Sequence, residues 1–253
     1  MDGQQNTNQP FILALLPLAG TLLALLAGLA AASAGFGHRL GWWSHRTGFT
    51  VLKAAAYFGI AAAVASLAGL IVARPLFLRQ GAVLSLAGVL IGLLTAGIPW
   101  TWMRTAKQVP VIHDISTDTD NPPKFVAVLP LRKDAPNPAE YGGPDIAAKQ
   151  RKGYPDIVPR LMRVPPDRAF EQALSTARDM GWEIVATDAG QRRIEATDTT
   201  FWFGFKDDVV IRITPALDGS RVDVRSLSRV GKSDVGTNAK RIRKYLNRLD
   251  QMK

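Results

Sequence analysis

The chain has 253 residues, 31 basic against 21 acidic side chains and no cysteine, so disulfide frameworks, thiolate nucleophiles and cysteine-based metal sites are excluded. The charge is unevenly spread: residues 1–110 hold one acid, Asp2, and seven bases, Arg39, Arg46, Lys53, Arg74, Arg79, Arg104 and Lys107. A formal net charge of +10 in this pattern does not by itself choose among nucleic acid, anionic lipid and solubility as its purpose.

After a tail of residues 1–10, positions 11–36 read FILALLPLAGTLLALLAGLAAASAGF without a charge, against the roughly 20 residues that a helix needs to cross a bilayer. A cleavable signal fits poorly, because a basic n-region is missing and two further apolar segments follow, at 49–73 and 76–102. Residues 11–104 therefore predict three transmembrane helices in a multi-pass protein, with the lipid bilayer as a partner. Gly20, Gly28, Gly59, Gly69, Gly88, Gly92 and Gly97 recur through them. Such small residues let helix backbones approach closely and offer faces for a bundle or for oligomers. Trp42, Trp43, Trp100 and Trp102 mark the interfaces. Lys53 lies in the first turn of its span and can snorkel, which leaves no ion relay visible within the second and third spans. Three crossings place Arg39, Arg46, Lys53, Arg104 and Lys107 on the side of the C-terminal part, against Arg74 and Arg79 on the other, so the positive-inside rule favours a cytoplasmic C-terminal domain.

Eleven of the 16 prolines fall between Pro110 and Pro166, so residues 105–164 read as a Pro/Asp-rich linker with sparse regular structure. Within it VIHDISTDTDNPPKF groups His113, Asp114, Asp118 and Asp120. These are hard-metal ligands or acid/base groups in principle, and turn or cap residues before a Pro-Pro pair in the plainer reading. No metal and no cofactor is assigned.

Residues 165–253 predict a soluble α+β domain. Pro166 and Asp167 open a helix whose apolar positions recur at three and four, closed by Gly181. Period-two segments follow at 183–187, 193–198, 209–214 and 221–227, with Asp218-Gly219 as a hairpin signal between the last two. A final helix from about Val235 to Leu249 puts Val235, Ala239, Ile242, Leu246 and Leu249 on one stripe, with Lys240, Arg241, Arg243, Lys244 and Arg248 outside it. The order is αββββα: a four-stranded antiparallel sheet with two helices on one face, because each half-apolar layer must bury that face.

The blocks IEATDTTFWFGFKDDVVIRI and VDVRSLSRVGKSDVGTNAKRIRKYL, with HDISTDTDNPPKF upstream, resemble domain-of-unknown-function family fourteen-ninety-nine over about residues 111–250. The resemblance implies a domain found in bacterial envelope proteins and plant plastids, hence an exported one, which opposes the charge count. It supplies candidate positions and no reaction.

Among those positions, Gly204, Asp208, Gly231, Asp234, Gly236 and Asn238 read as structural. Asp207 and Asp208 are adjacent and so point to opposite faces of a strand, poor geometry for a carboxylate pair. Arg225, Ser228, Arg229 and Lys232 surround a glycine turn before a helix N-terminus, where an anion is expected to bind. The plainer reading pairs Arg225 or Arg229 with Asp207, Asp208 or Asp234, and caps the helix with Asp234 or Thr237. The expected function is a non-enzymatic, membrane-anchored binding or scaffold domain in a bacterial inner membrane, its ligand an anionic lipid headgroup or an envelope protein. The alternatives are a hydrolase using His113 with Asp207 or Asp208, and an oligomerising membrane module. No nucleic-acid recognition motif is present.

Overall fold

A computed structural model describes residues 9–72 and 80–252, with side chains for 15–71 and 80–252. The tail 1–8, the loop with Arg74 and Arg79 and the expected start of the third span at residue 76 lie outside the described residues. The chain divides into two compact units, Met1–Arg104 with Trp202–Gly204, and Thr105–Phe201 with Phe205–Lys253.

The first unit holds α1 (Gln9–Arg39), α2 (His45–Val72) and α3 (Gln80–Gln108), of which α3 runs six residues past the expected end at Trp102. All three are long and apolar enough to cross a membrane. Their polarity is arranged for lipid rather than water. Leu26, Leu29, Val64, Ile71 and Leu90 stand outward, 60 to 68% exposed, while Ala24, Ala62, Ser66 and Ser85 are fully buried. Glycine sets the spacing: a Cβ on Gly92 would fall 2.5 Å from the Gly59 carbonyl oxygen, so α2 and α3 touch through their backbones. Gly20 and Gly88 both pack against the Ser66 hydroxyl. Thr21 Oγ1 lies 2.8 Å from the Pro17 carbonyl and 2.7 Å from that of Leu84, tying α1 to α3.

The second unit is an antiparallel sheet with helices on one face, built from β1 (Asp114–Ser116), β2 (Arg160–Met162), β3 (Glu183–Asp188), β4 (Arg193–Thr199), β5 (Lys206–Ala216) and β6 (Gly219–Ser228). The order is β1-β6-β5-β4-β3, and β2 also pairs with β6. The sheet has six strands where the sequence predicts four. The extra two, β1 and β2, come from the Pro-rich segment, and each is three residues long, too short to show a period of two. That segment also holds a 3-10 turn at Leu129–Arg132 and α4 (Gly143–Gly153). Gln150 of α4 closes the β1 edge: its side chain accepts from the Ser116 N–H at 2.9 Å and donates to the Ser116 carbonyl at 2.6 Å.

α5 (Pro166–Asp179) and α6 (Thr237–Leu249) cover one sheet face, where Ala169, Ala173 and Ile242 meet Ile194, Val209, Ile211 and Val224. Trp182 stacks on Tyr245 at 5.1 Å, and Tyr245 donates its buried hydroxyl to the Ala173 carbonyl. α6 starts two residues later than predicted, because Val235 takes a left-handed φ of 52° and Gly236 one of 79°. The other face, left without a cover in the sequence reading, is closed by residues 117–142. Phe125 and Val128 of this strap pack on Val210 and Leu227. The remaining contact is made of ion pairs and hydrogen bonds.

Candidate functional site

The polar groups that the sequence singles out gather in two clusters, one on each face of the β5–β6 pair. Strand alternation separates them: Asp207 faces the helices and Asp208 faces the strap.

On the strap face Asp208 is fully buried. It takes a hydrogen bond from Thr197 Oγ1 at 2.7 Å, a two-pronged pair from Arg229 at 2.9 and 2.8 Å, and one from Arg132 of the strap. Burial pushes its carboxyl up, but the bonds from Arg229, Thr197 and Arg132 outweigh burial and hold it below the ordinary range. Arg229 also donates to the Leu131 carbonyl at 3.0 Å and to Thr197 Oγ1 at 3.3 Å. Four residues earlier on β6, Arg225 is 2% exposed and grips Asp114 of β1 at 2.9 and 2.7 Å. It also donates to the carbonyls of Pro123 and Ala139 and lies over the rings of Phe125 and Tyr141, 4.9 and 5.4 Å from their centroids. For Asp114 burial dominates, and the carboxyl is pushed up despite Arg225. Glu195 of β4 accepts the backbone N–H groups of Val126, Ala127 and Val128. Asn137 adds bonds to the carbonyls of Ser228 and Gly231.

On the helix face Asp207 pairs with Arg241 at 2.6 Å, and Arg241 also reaches Asp198 at 2.7 Å. The sequence places Arg241 on the basic outer face of α6; instead it is 5% exposed. It lies beside the apolar stripe, one residue before Ile242 and three after Asn238, so its stem reaches inward and its head meets carboxylates already buried. Asn238, fully buried, accepts from Ser226 and Arg241 and donates to Ser228 Oγ at 3.0 Å and to the His113 carbonyl at 2.9 Å. Asp234 caps α6 by accepting from the N–H groups of Gly236 and Asn238 at 2.9 and 2.6 Å. Its carboxyl is pushed up by burial, against those two bonds.

The expected anion site is therefore divided. Arg225 and Arg229 are each clamped to a different carboxylate, Ser228 serves Asn238, and Asp234 holds the helix N-terminus where an anion would sit. Lys232 alone of the four is exposed. Gly204 and Gly231, with φ of 67° and 94°, occupy turns that a side chain would strain.

His113 has its ring nitrogen 3.4 Å from the Lys232 carbonyl. Its own carbonyl accepts from Ser228, which pairs with Asp207 across β6, so His113 and Asp207 stand two strand spacings apart, roughly 10 Å. Asp208 is on the opposite face. The acids near His113 also disperse: Asp118 goes to Arg212 and Arg221, and Asp120 to Arg151. Among the described residues no group of three or more His, Asp or Glu side chains is placed to hold a metal ion.

Sequence reasoning missed Arg132, Asn137 and Glu195. Their partners lie 76, 91 and 69 residues away, and nothing local marks them except that Glu195 is an acid within an otherwise period-two strand.

The model of a family described as a protein of unknown function (DUF1499) matches residues 114–249. No curated protein matches the chain. The match opens at Asp114, the partner of Arg225, closes at the end of α6, and contains both ionic clusters. The chain belongs to the DUF1499 family, with three helices of membrane-spanning length ahead of the family domain.

Proposed function

We propose that this chain is a multi-pass protein of a bacterial inner membrane, whose C-terminal domain is a binding or scaffold module for anionic lipid headgroups rather than an enzyme. The observation that carries the reading is the division of the cations. The conspicuous arginines Arg132, Arg225, Arg229 and Arg241 are spent on internal carboxylates, which makes the domain a prefabricated solid. Along α6 and in the loop before it the exposed positive charge is carried by lysines: Lys240 and Lys244, four apart on one face of the helix, and Lys232. A lysine near an anionic surface contributes about 1 kcal/mol of attraction, and a domain tethered beside a bilayer meets such a surface at high local concentration.

The test reconstitutes the full chain in vesicles of zwitterionic lipid, with or without anionic phospholipid, and follows amine-reactive labelling by mass spectrometry. Lys232, Lys240 and Lys244 are expected to be protected in anionic vesicles at low salt and released at high salt. Equal labelling in both vesicles overturns the headgroup reading.

A further inference from the structure

The turn Trp202–Gly204 belongs to the same compact unit as the three apolar helices, and its contacts there are built rather than incidental. The Trp202 indole N–H donates to the Ala32 carbonyl of α1 at 3.0 Å. A Cβ on Gly35 would lie 2.4 Å from that ring, so only a glycine leaves it room. Phe203, 4% exposed, sits in the same way against Gly48 of α2, where a Cβ would come within 3.0 Å of the ring. Its carbonyl lies 2.6 Å from His38 Nδ1, which donates to it in the Nδ1–H tautomer.

Depth gives these contacts their meaning. Ala32 precedes Arg39, the charged end of α1, by seven residues, which at 1.5 Å each is roughly 10 Å into the apolar helix. Irregular backbone at such a depth is tolerated only where protein satisfies its polar groups, and His38 does so for the Phe203 carbonyl. Trp102 of α3 lies 5.3 Å from Trp202. Trp42, Trp100 and Trp102, at the ends of α1 and α3, are 67, 58 and 46% exposed, as an aromatic belt at a membrane surface requires.

We infer that Trp202–Gly204 is a fourth, non-helical membrane element: an aromatic turn inserted at the boundary between headgroups and acyl chains, with the lipid interface as its partner. The inference rests on the reading that α1 to α3 span a bilayer, and the experiment separates the two. The full chain and its W202F variant are placed in vesicles whose lipids are brominated near the top of the acyl chains, and the difference in their fluorescence isolates Trp202. Its emission is expected to lose most of its intensity to the brominated lipid and little to aqueous iodide. Quenching by iodide without quenching by brominated lipid overturns the inference. If the other tryptophans are quenched by the lipid and Trp202 is not, the inference alone falls; if none is quenched, the spanning reading falls with it. In a second variant, Gly35→Leu, the ring loses its seat, and the Trp202 component is expected to move from lipid to iodide quenching. Unchanged quenching there also counts against the inserted turn.

Discussion

At the scale of residues, Asp208 shows how a buried charge becomes structural. Its carboxylate accepts from Thr197, Arg229 and Arg132, and two of those donors are themselves cations in a dry setting. Asp208→Asn leaves both guanidiniums without their counter-charge, and breaking a buried pair in this way costs about 3–5 kcal/mol. Thermal unfolding of the full chain in detergent is expected to show the loss. The same group sets a pH dependence. Its folded pKa lies below the ordinary 3.8, so it contributes stability that is complete above that value and disappears as pH falls through the depressed one. Amide exchange at residues 125–137 is expected to accelerate in that acid window, and the acceleration is expected to be absent in Asp208→Asn. Asn238 is the neutral counterpart. Asn238→Ala takes one partner each from the His113 carbonyl, Ser226, Ser228 and Arg241, and the lost bonds in this buried cluster are expected to cost about 1–3 kcal/mol by the same unfolding measurement.

At the scale of elements, the strap decides the character of the domain. A sheet with helices on one face has a second face to cover, and here residues 117–142 cover it without regular structure beyond one 3-10 turn. From the strap, Phe125 and Val128 join the apolar cluster on that face, and carboxylates and backbone bonds hold the rest. Glu195→Gln keeps the shape of the side chain but weakens the acceptor for three successive N–H groups. Limited proteolysis is expected to cut first near Val126 to Val128 in this variant, with β5 and β6 still protected. Cutting at the same sites and rate as in the parent chain would show that the strap is held elsewhere.

At the scale of the whole molecule, the membrane unit and the family domain follow different rules of burial, and each carries its own prediction. In the helices small residues face in and leucines face out. Six of the seven conspicuous glycines meet a neighbouring helix, while a Cβ on Gly97 would meet nothing within 4 Å. Gly92→Val is therefore expected to lower the unfolding temperature in detergent, and Gly97→Ala to leave it unchanged. The proposed three crossings predict that tags at the two chain ends report opposite sides of the membrane under protease treatment of intact cells.

Much of this architecture is legible in local pattern. Runs of uncharged residues as long as a bilayer is thick announce the three helices, and Pro166, Gly181 and the alternation through residues 183–227 place α5 and four strands. Those signals are local because helix and strand periods repeat within one element. The adjacency of Asp207 and Asp208 even predicts that they face opposite ways. What tertiary structure alone decided is which charge meets which. Arg225 joins Asp114, Arg132 joins Asp208 and Arg241 turns inward to Asp207, all across separations of 34 to 111 residues. An ion pair has no period and leaves no trace in its neighbours, so residues that read as one anion site in one dimension are parted once the sheet closes, Arg225 and Arg229 drawn to carboxylates and Lys232 left exposed.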